Sequence, residues 1–162
     1  MSDWFVVNVA DAPAYLNPDF GRAVAFEREG AEFEQIGINL TWLEPGRPAS
    51  MYHSEAAQEA FLVLHGEATL VVDDQERPLR RWDFVHMPPE TPHVIVGAGD
   101  GPCGVLMVGA RLGDAQGIRF PLSEAAARYG ASVDTETDDR AEAYAGKARF
   151  GPGPSFWPPE EE

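Results

Sequence analysis

Apolar and polar residues alternate in short runs over the first two thirds of the chain, and no stretch there keeps a helical period. Gly, Pro and Asp punctuate these runs, which is the signature of many short strands. The pattern predicts strands over Trp4–Val9, Ala23–Arg28, Gln35–Leu43, Ala60–Leu64, Ala68–Val72, Arg77–Arg81, Asp83–Met87, His93–Val96 and Val105–Ala110. A glycine turn at His65-Gly66-Glu67 joins two of them. Asp73-Asp74-Gln75-Glu76 makes the next turn, and Pro88-Pro89-Glu90-Thr91-Pro92 makes a stiff one before His93. So many strands at this spacing fit a sandwich or a closed barrel, where pairing removes exposed edges.

Past Arg111 the pattern changes. Ser123 to Gly130 offers an N-cap, a run of helix formers and a terminal glycine, and Asp138–Ala145 predicts a second short helix stopped by Gly146. Gly151-Pro152-Gly153-Pro154 and Pro158-Pro159 sustain neither helix nor central strand, so residues 147–162 are expected as an extended tail. Phe150, Phe156 and Trp157 are its candidate anchors. The expected organisation is one all-β unit, sandwich or barrel, over residues 1–112 and a helical segment with a Pro/Gly/Glu-rich tail over 113–162, packed on it.

The length of 162 residues suits one domain with tails, and 24% charged with 44% hydrophobic residues is the composition of a soluble globular protein. No apolar run is long enough to span a bilayer, and the N-terminal residues lack a secretory pattern, so a cytoplasmic location is expected. The net charge of −15 disfavours phosphate backbones and anionic lipid surfaces, which argues against nucleic-acid and membrane partners. Part of that charge is local, from Asp134, Glu136, Asp138, Asp139, Glu142 and Glu160-Glu161-Glu162. The single cysteine, Cys103, lies in an apolar run where a buried, inert thiol is expected.

Chemistry concentrates in two clusters: His53, Glu55 and Glu59, and His93 after Thr91-Pro92. Strand residues of equal parity share a face, so 53 with 55, and 59 with 61 and 63, can point into one interior. Two neutral imidazoles and a carboxylate on one side of a metal form a facial set that suits Fe, Mn, Ni or Zn and leaves positions for water or substrate. The competing reading is a pair of strand histidines satisfied by backbone or tyrosine partners. Of the other candidates, His65 reads as solvent-exposed, His86 as packing or surface, and Tyr52, Trp42 and Trp82 as core or interface aromatics. Arg47, Arg111 and Arg119 are candidates to steer an anionic substrate, with surface salt bridging the favoured reading. Phe61, Val63, Ile95 and Met107 are the expected pocket wall.

The spacing of these clusters resembles both motifs of the cupin superfamily, over residues 44–66 and 82–97. The first motif reads Gly46, six residues, His53-Ser54-Glu55, three residues, Glu59, six residues, Gly66. The second reads Trp82, five residues, Pro88-Pro89-Glu90, two residues, His93, three residues, Gly97. The resemblance implies an all-β, double-stranded β-helix (jelly-roll barrel) with a divalent transition metal held by His53, Glu59 and His93. Glu55 stands where the family has a second histidine. It is open to three roles: fourth ligand, general base beside a three-ligand metal, or part of a barrel with no physiological metal. Trp82 and Glu90 replace family glycines, and Gly97 replaces an asparagine; Glu90 is expected at a backbone position that favours positive φ. The resemblance further implies a homodimer acting on a small molecule. The expected function is a metal-dependent enzyme, dioxygenase or isomerase-like, and the alternative is a non-catalytic small-ligand binding or sensing barrel.

Overall fold

The computed structural model describes residues 4–156. Ten strands run in chain order: β1 Ala14–Asn17, β2 Gly21–Ala25, β3 Ile36–Leu43, β4 Glu59–His65, β5 Glu67–Val72, β6 Gln75–Arg80, β7 Phe84–Met87, β8 His93–Ala98, β9 Cys103–Ala110 and β10 Gly151–Pro152. Two single-turn helices, α1 Glu124–Ala127 and α2 Arg140–Ala143, follow β9. One antiparallel sheet has the order β10-β1-β2-β3-β9-β4-β7 and the other β6-β5-β8. Consecutive hairpins and the long return of β9 between β3 and β4 wrap the two sheets into the expected jelly-roll barrel.

Period-two alternation explains what lies between and outside the sheets. Phe61, Val63, Leu70, Ile95, Cys103 and Val105 fill the barrel interior with Leu43 and Met87. The opposite parity of the smaller sheet, Val71, Val94 and Val96, is buried under Ala125 and Ala126 of α1. Cys103 is buried as expected, and burial pushes its thiol up to about 11, which disfavours the reactive thiolate.

The expected Trp4–Val9 strand does not form. Residues 4–8 alternate half-buried and exposed as the pattern demands, but no strand pairs with them, and Val9–Asp11 makes a 3₁₀ turn capped by the Asn8 side chain. The first strand begins at Ala14 instead. The tail is likewise more than extended chain: β10 pairs with β1, Tyr15 opposite Pro152 and Leu16 opposite Gly151. Phe156 tilts against Trp42 at 6.2 Å, with the Arg22 guanidinium 5.9 Å from its ring. Trp157 and the terminal glutamates lie outside the described residues.

Turn chemistry sets the register. Asp73 and Asp74, at φ 48° and 58°, close the β5–β6 hairpin as a two-residue turn. Trp82 and Glu90 adopt φ of 77° and 63°, so the glycine-like geometry is kept without the glycines. At Gly97 a Cβ would lie 2.2 Å from the Glu44 carbonyl oxygen, so the β8 backbone passes too close for any side chain.

Candidate metal centre

His53, Ser54 and Glu55 are held by backbone on several sides. His53 and His93 exchange N–H···O bonds of 3.2 and 2.9 Å, Ser54 does the same with Arg119 at 2.9 Å both ways, and the Glu55 carbonyl accepts from Glu90 N–H at 2.7 Å. Ser54 faces away and is buried, which turns the flanking His53 and Glu55 inward. Glu59 opens β4 in phase with Phe61 and Val63, and His93 opens β8 in phase with Ile95. All four side chains border one cavity of about 640 Å³.

The donor atoms of His53, Glu59 and His93 lie within 4.8 Å of one another. Each imidazole is oriented by a backbone carbonyl: His53 Nδ1 is 2.7 Å from Met51 O and His93 Nδ1 is 2.8 Å from Thr91 O. A carbonyl only accepts, so both Nδ1 atoms carry hydrogen and both Nε2 atoms point inward. His93 Nε2 lies 3.1 Å from Glu59 Oε2. With no metal bound, a protonated His93 donates to Glu59 at that distance; with both imidazoles neutral, the two Nε2 lone pairs and the carboxylate form a donor set for a divalent transition metal. Burial opposes charge on His53, and its neighbour His93 adds to that, lowering the His53 pKa from the ordinary 6.5. Burial also opposes ionisation of Glu59, but the His93 hydrogen bond and the charges of His93 and His53 outweigh it and hold the carboxyl below its usual range. Neutral imidazole and ionised carboxylate are the ligating forms.

Glu55 stands outside that cluster. Its Oε1 is 3.7 Å from His53 Nε2 and 3.7 Å from an Arg140 guanidinium nitrogen, and its Oε2 accepts a short hydrogen bond from the Gln116 amide. Gln116 is itself fixed, because its Oε1 accepts from Leu112 N–H at 2.9 Å while its amide also reaches the Ala110 carbonyl at 3.3 Å. Gln116 and Arg140 both come from the segment after β9, and their place beside Glu55 was missed in the sequence. Neither sits in a motif, and they meet Glu55 only through tertiary packing.

Of the expected pocket wall, Phe61, Ile95 and Met107 line the cavity, whereas Val63 is fully buried in the core. His65, expected exposed, is half-buried and stacks on Trp42 at 5.2 Å, because the β4 bulge before the Gly66 turn folds it back over the sheet. His86 is exposed and Tyr52 is core, with its hydroxyl accepting from Asp74 N–H. Arg111 pairs with Glu27, Arg119 is in the backbone bridge to Ser54, and Arg47 donates to the Pro18 carbonyl.

A two-sheet antiparallel barrel with an inward His-Glu-His set defines the class as a jelly-roll barrel with a candidate metal centre. Residues 39–109, from within β3 to within β9, match the family described as the cupin domain, so this stretch of the barrel is similar to a cupin barrel. A sugar phosphate isomerase of the cupin superfamily from Silicibacter pomeroyi superposes with a TM-score of 0.59 at 24% identity, covering 65% of this chain and 75% of that one. A proposed sugar phosphate isomerase from Acidithiobacillus ferrooxidans superposes with a TM-score of 0.52 at 31% identity, covering 60% of this chain and 64% of that one. A predicted oxalate decarboxylase from Thermotoga maritima shares the fold, with a TM-score of 0.57 at 17% identity over 67% of this chain and all of that one. No curated protein matches the sequence.

Proposed function

We propose that this chain is a metal-dependent enzyme of the isomerase type, acting on a small hydroxycarbonyl compound. The observation that carries the reading is the carboxylate of Glu55, held by Gln116 at the side of the His53, Glu59 and His93 set within one cavity. A divalent transition metal (Fe, Mn, Ni or Zn) on those three residues would supply polarisation of a substrate oxygen. Glu55 takes the role of base in preference to fourth ligand, removing a proton from the hydroxyl-bearing carbon next to a carbonyl and returning it to the carbonyl carbon, while the hydroxyl proton passes to the former carbonyl oxygen. Its free Oε1 faces the cavity side of His53 while Oε2 is engaged by Gln116, so one oxygen is available for the proton. Phe61, Ile95 and Met107 supply an apolar wall on one side of the cavity. The 31% identity to the Acidithiobacillus protein supports an isomerase over a dioxygenase.

The test begins with metal content of untagged protein, expected at about one equivalent and removed by His93→Ala but retained by Glu55→Gln. With metal bound, a panel of aldose and ketose phosphates in deuterated water should show deuterium incorporation next to the carbonyl. Glu55→Gln should slow that exchange by about 10²- to 10⁴-fold. Metal below about a tenth of an equivalent after supplementation with Fe, Mn, Ni or Zn overturns the reading. Bound metal without any exchange favours the alternative, a small-ligand binding barrel.

A further inference from the structure

We infer that Arg140 is the anchor for an oxyanion group of the substrate, a carboxylate or a phosphate, and so sets which small molecules the cavity accepts. The inference deepens the isomerase reading and rests on it for the reacting end of the substrate.

Two arginines border the cavity, and their states differ. Arg111 is occupied: its guanidinium makes two hydrogen bonds to the Glu27 carboxylate and a third to the Phe33 carbonyl. The Arg140 guanidinium makes no hydrogen bond to any described residue, and its only ion pair among them is the loose 3.7 Å approach to Glu55, beyond hydrogen-bonding distance. Its side chain is 64% exposed. A planar fork of N–H donors left open at a cavity mouth matches the two oxygens of a carboxylate or phosphate.

The backbone beneath that open fork is fixed. The Asp139 side chain caps α2 by accepting from Ala141 and Glu142 N–H, and the Thr137 hydroxyl accepts from Asp139 N–H and donates to Glu142. Ala143 is buried with Phe20, Met51 and Phe120. Tyr144 packs edge-on against Phe20 and Phe120, and its hydroxyl accepts from Met51 N–H at 3.2 Å. The Arg140 Cα is thus tied to the residue two before His53, while its guanidinium is left to the cavity. In a chain of 27 acidic and 12 basic residues, an anion entering past the surface needs such a cation to offset Glu55 and Glu59. On binding, the anion replaces the loose Glu55 contact with two charge-assisted hydrogen bonds. A surface salt bridge with no ligand role is the competing reading of the same residue.

Inorganic phosphate and acetate are titrated separately into full-length protein, both metal-loaded and chelator-treated, with the Arg140 Nε–H resonance and the α2 amides as readout. Saturable shifts at Arg140 are expected with one or both anions in the chelator-treated protein; which anion binds tighter identifies the group. Arg140→Gln should weaken that binding about ten- to a hundredfold, with Arg140→Lys between the two. Equal affinity of Arg140→Gln and wild type, or no shift at Arg140 with either anion in both preparations, overturns the inference. Failure of the isomerase reading appears separately, as absent metal or absent deuterium exchange, and leaves the anion titration interpretable.

Discussion

Trp82 and Glu90 hold φ of 77° and 63°, a region in which a Cβ crowds the following carbonyl. Glu90 earns its place through its backbone, whose N–H donates to the Glu55 carbonyl at 2.7 Å, and glycine would keep that bond. Glu90→Gly should therefore stabilise the protein by about 1 kcal/mol, read as a higher urea midpoint at unchanged m-value. At the metal centre the sign of the pH dependence follows from the histidine. His53 titrates lower in the fold than the ordinary 6.5, so the unfolded chain binds a proton that the folded one refuses. That contribution to stability is complete above 6.5 and is lost as pH falls from there towards the folded value. Glu59, held below the ordinary 4.5, acts in the same direction at lower pH. Chelator-treated protein should become less stable in urea from about pH 7 downward, and His53→Gln should flatten the first part of that slope.

Strands legible from alternation came out close to expectation where a partner strand was available. Gln35–Leu43 became β3 at Ile36–Leu43, and Val105–Ala110 became β9 at Cys103–Ala110. Trp4–Val9 has equally good alternation but nothing to pair with, and alternation reports only which face is buried. The two C-terminal helices shortened to single turns because a lone turn lacks the length to propagate and persists through its caps and packing. Asp139→Ala removes the cap from α2 and should cost about 1 kcal/mol. If Arg140 anchors an oxyanion, the same change should also weaken anion binding, and a chemical-denaturation curve beside the phosphate titration checks both.

At the scale of the molecule, β7 is one edge of the larger sheet and β6 one edge of the smaller, and Trp82 just before β7 and Phe84 at its start are 62% and 66% exposed. No helix among the described residues is long and apolar enough to cross a membrane. We expect the homodimer implied by the family resemblance, and light scattering at micromolar concentration should return twice the chain mass; the single-chain mass would refute it.

By itself the sequence determined the all-β class and the strands that begin at Glu59 and His93, because alternation along a strand is a local quantity; the expectation that His53, Glu59 and His93 act together came from the resemblance of the motif spacing to the cupin family. Tertiary structure alone decided how Glu55 is engaged. Gln116 and Arg140 stand 61 and 85 positions beyond it, and only the path of the chain after β9 brings them to the cavity. The same holds for Gly97, whose missing side chain reflects a carbonyl 53 residues earlier that no local pattern could reveal.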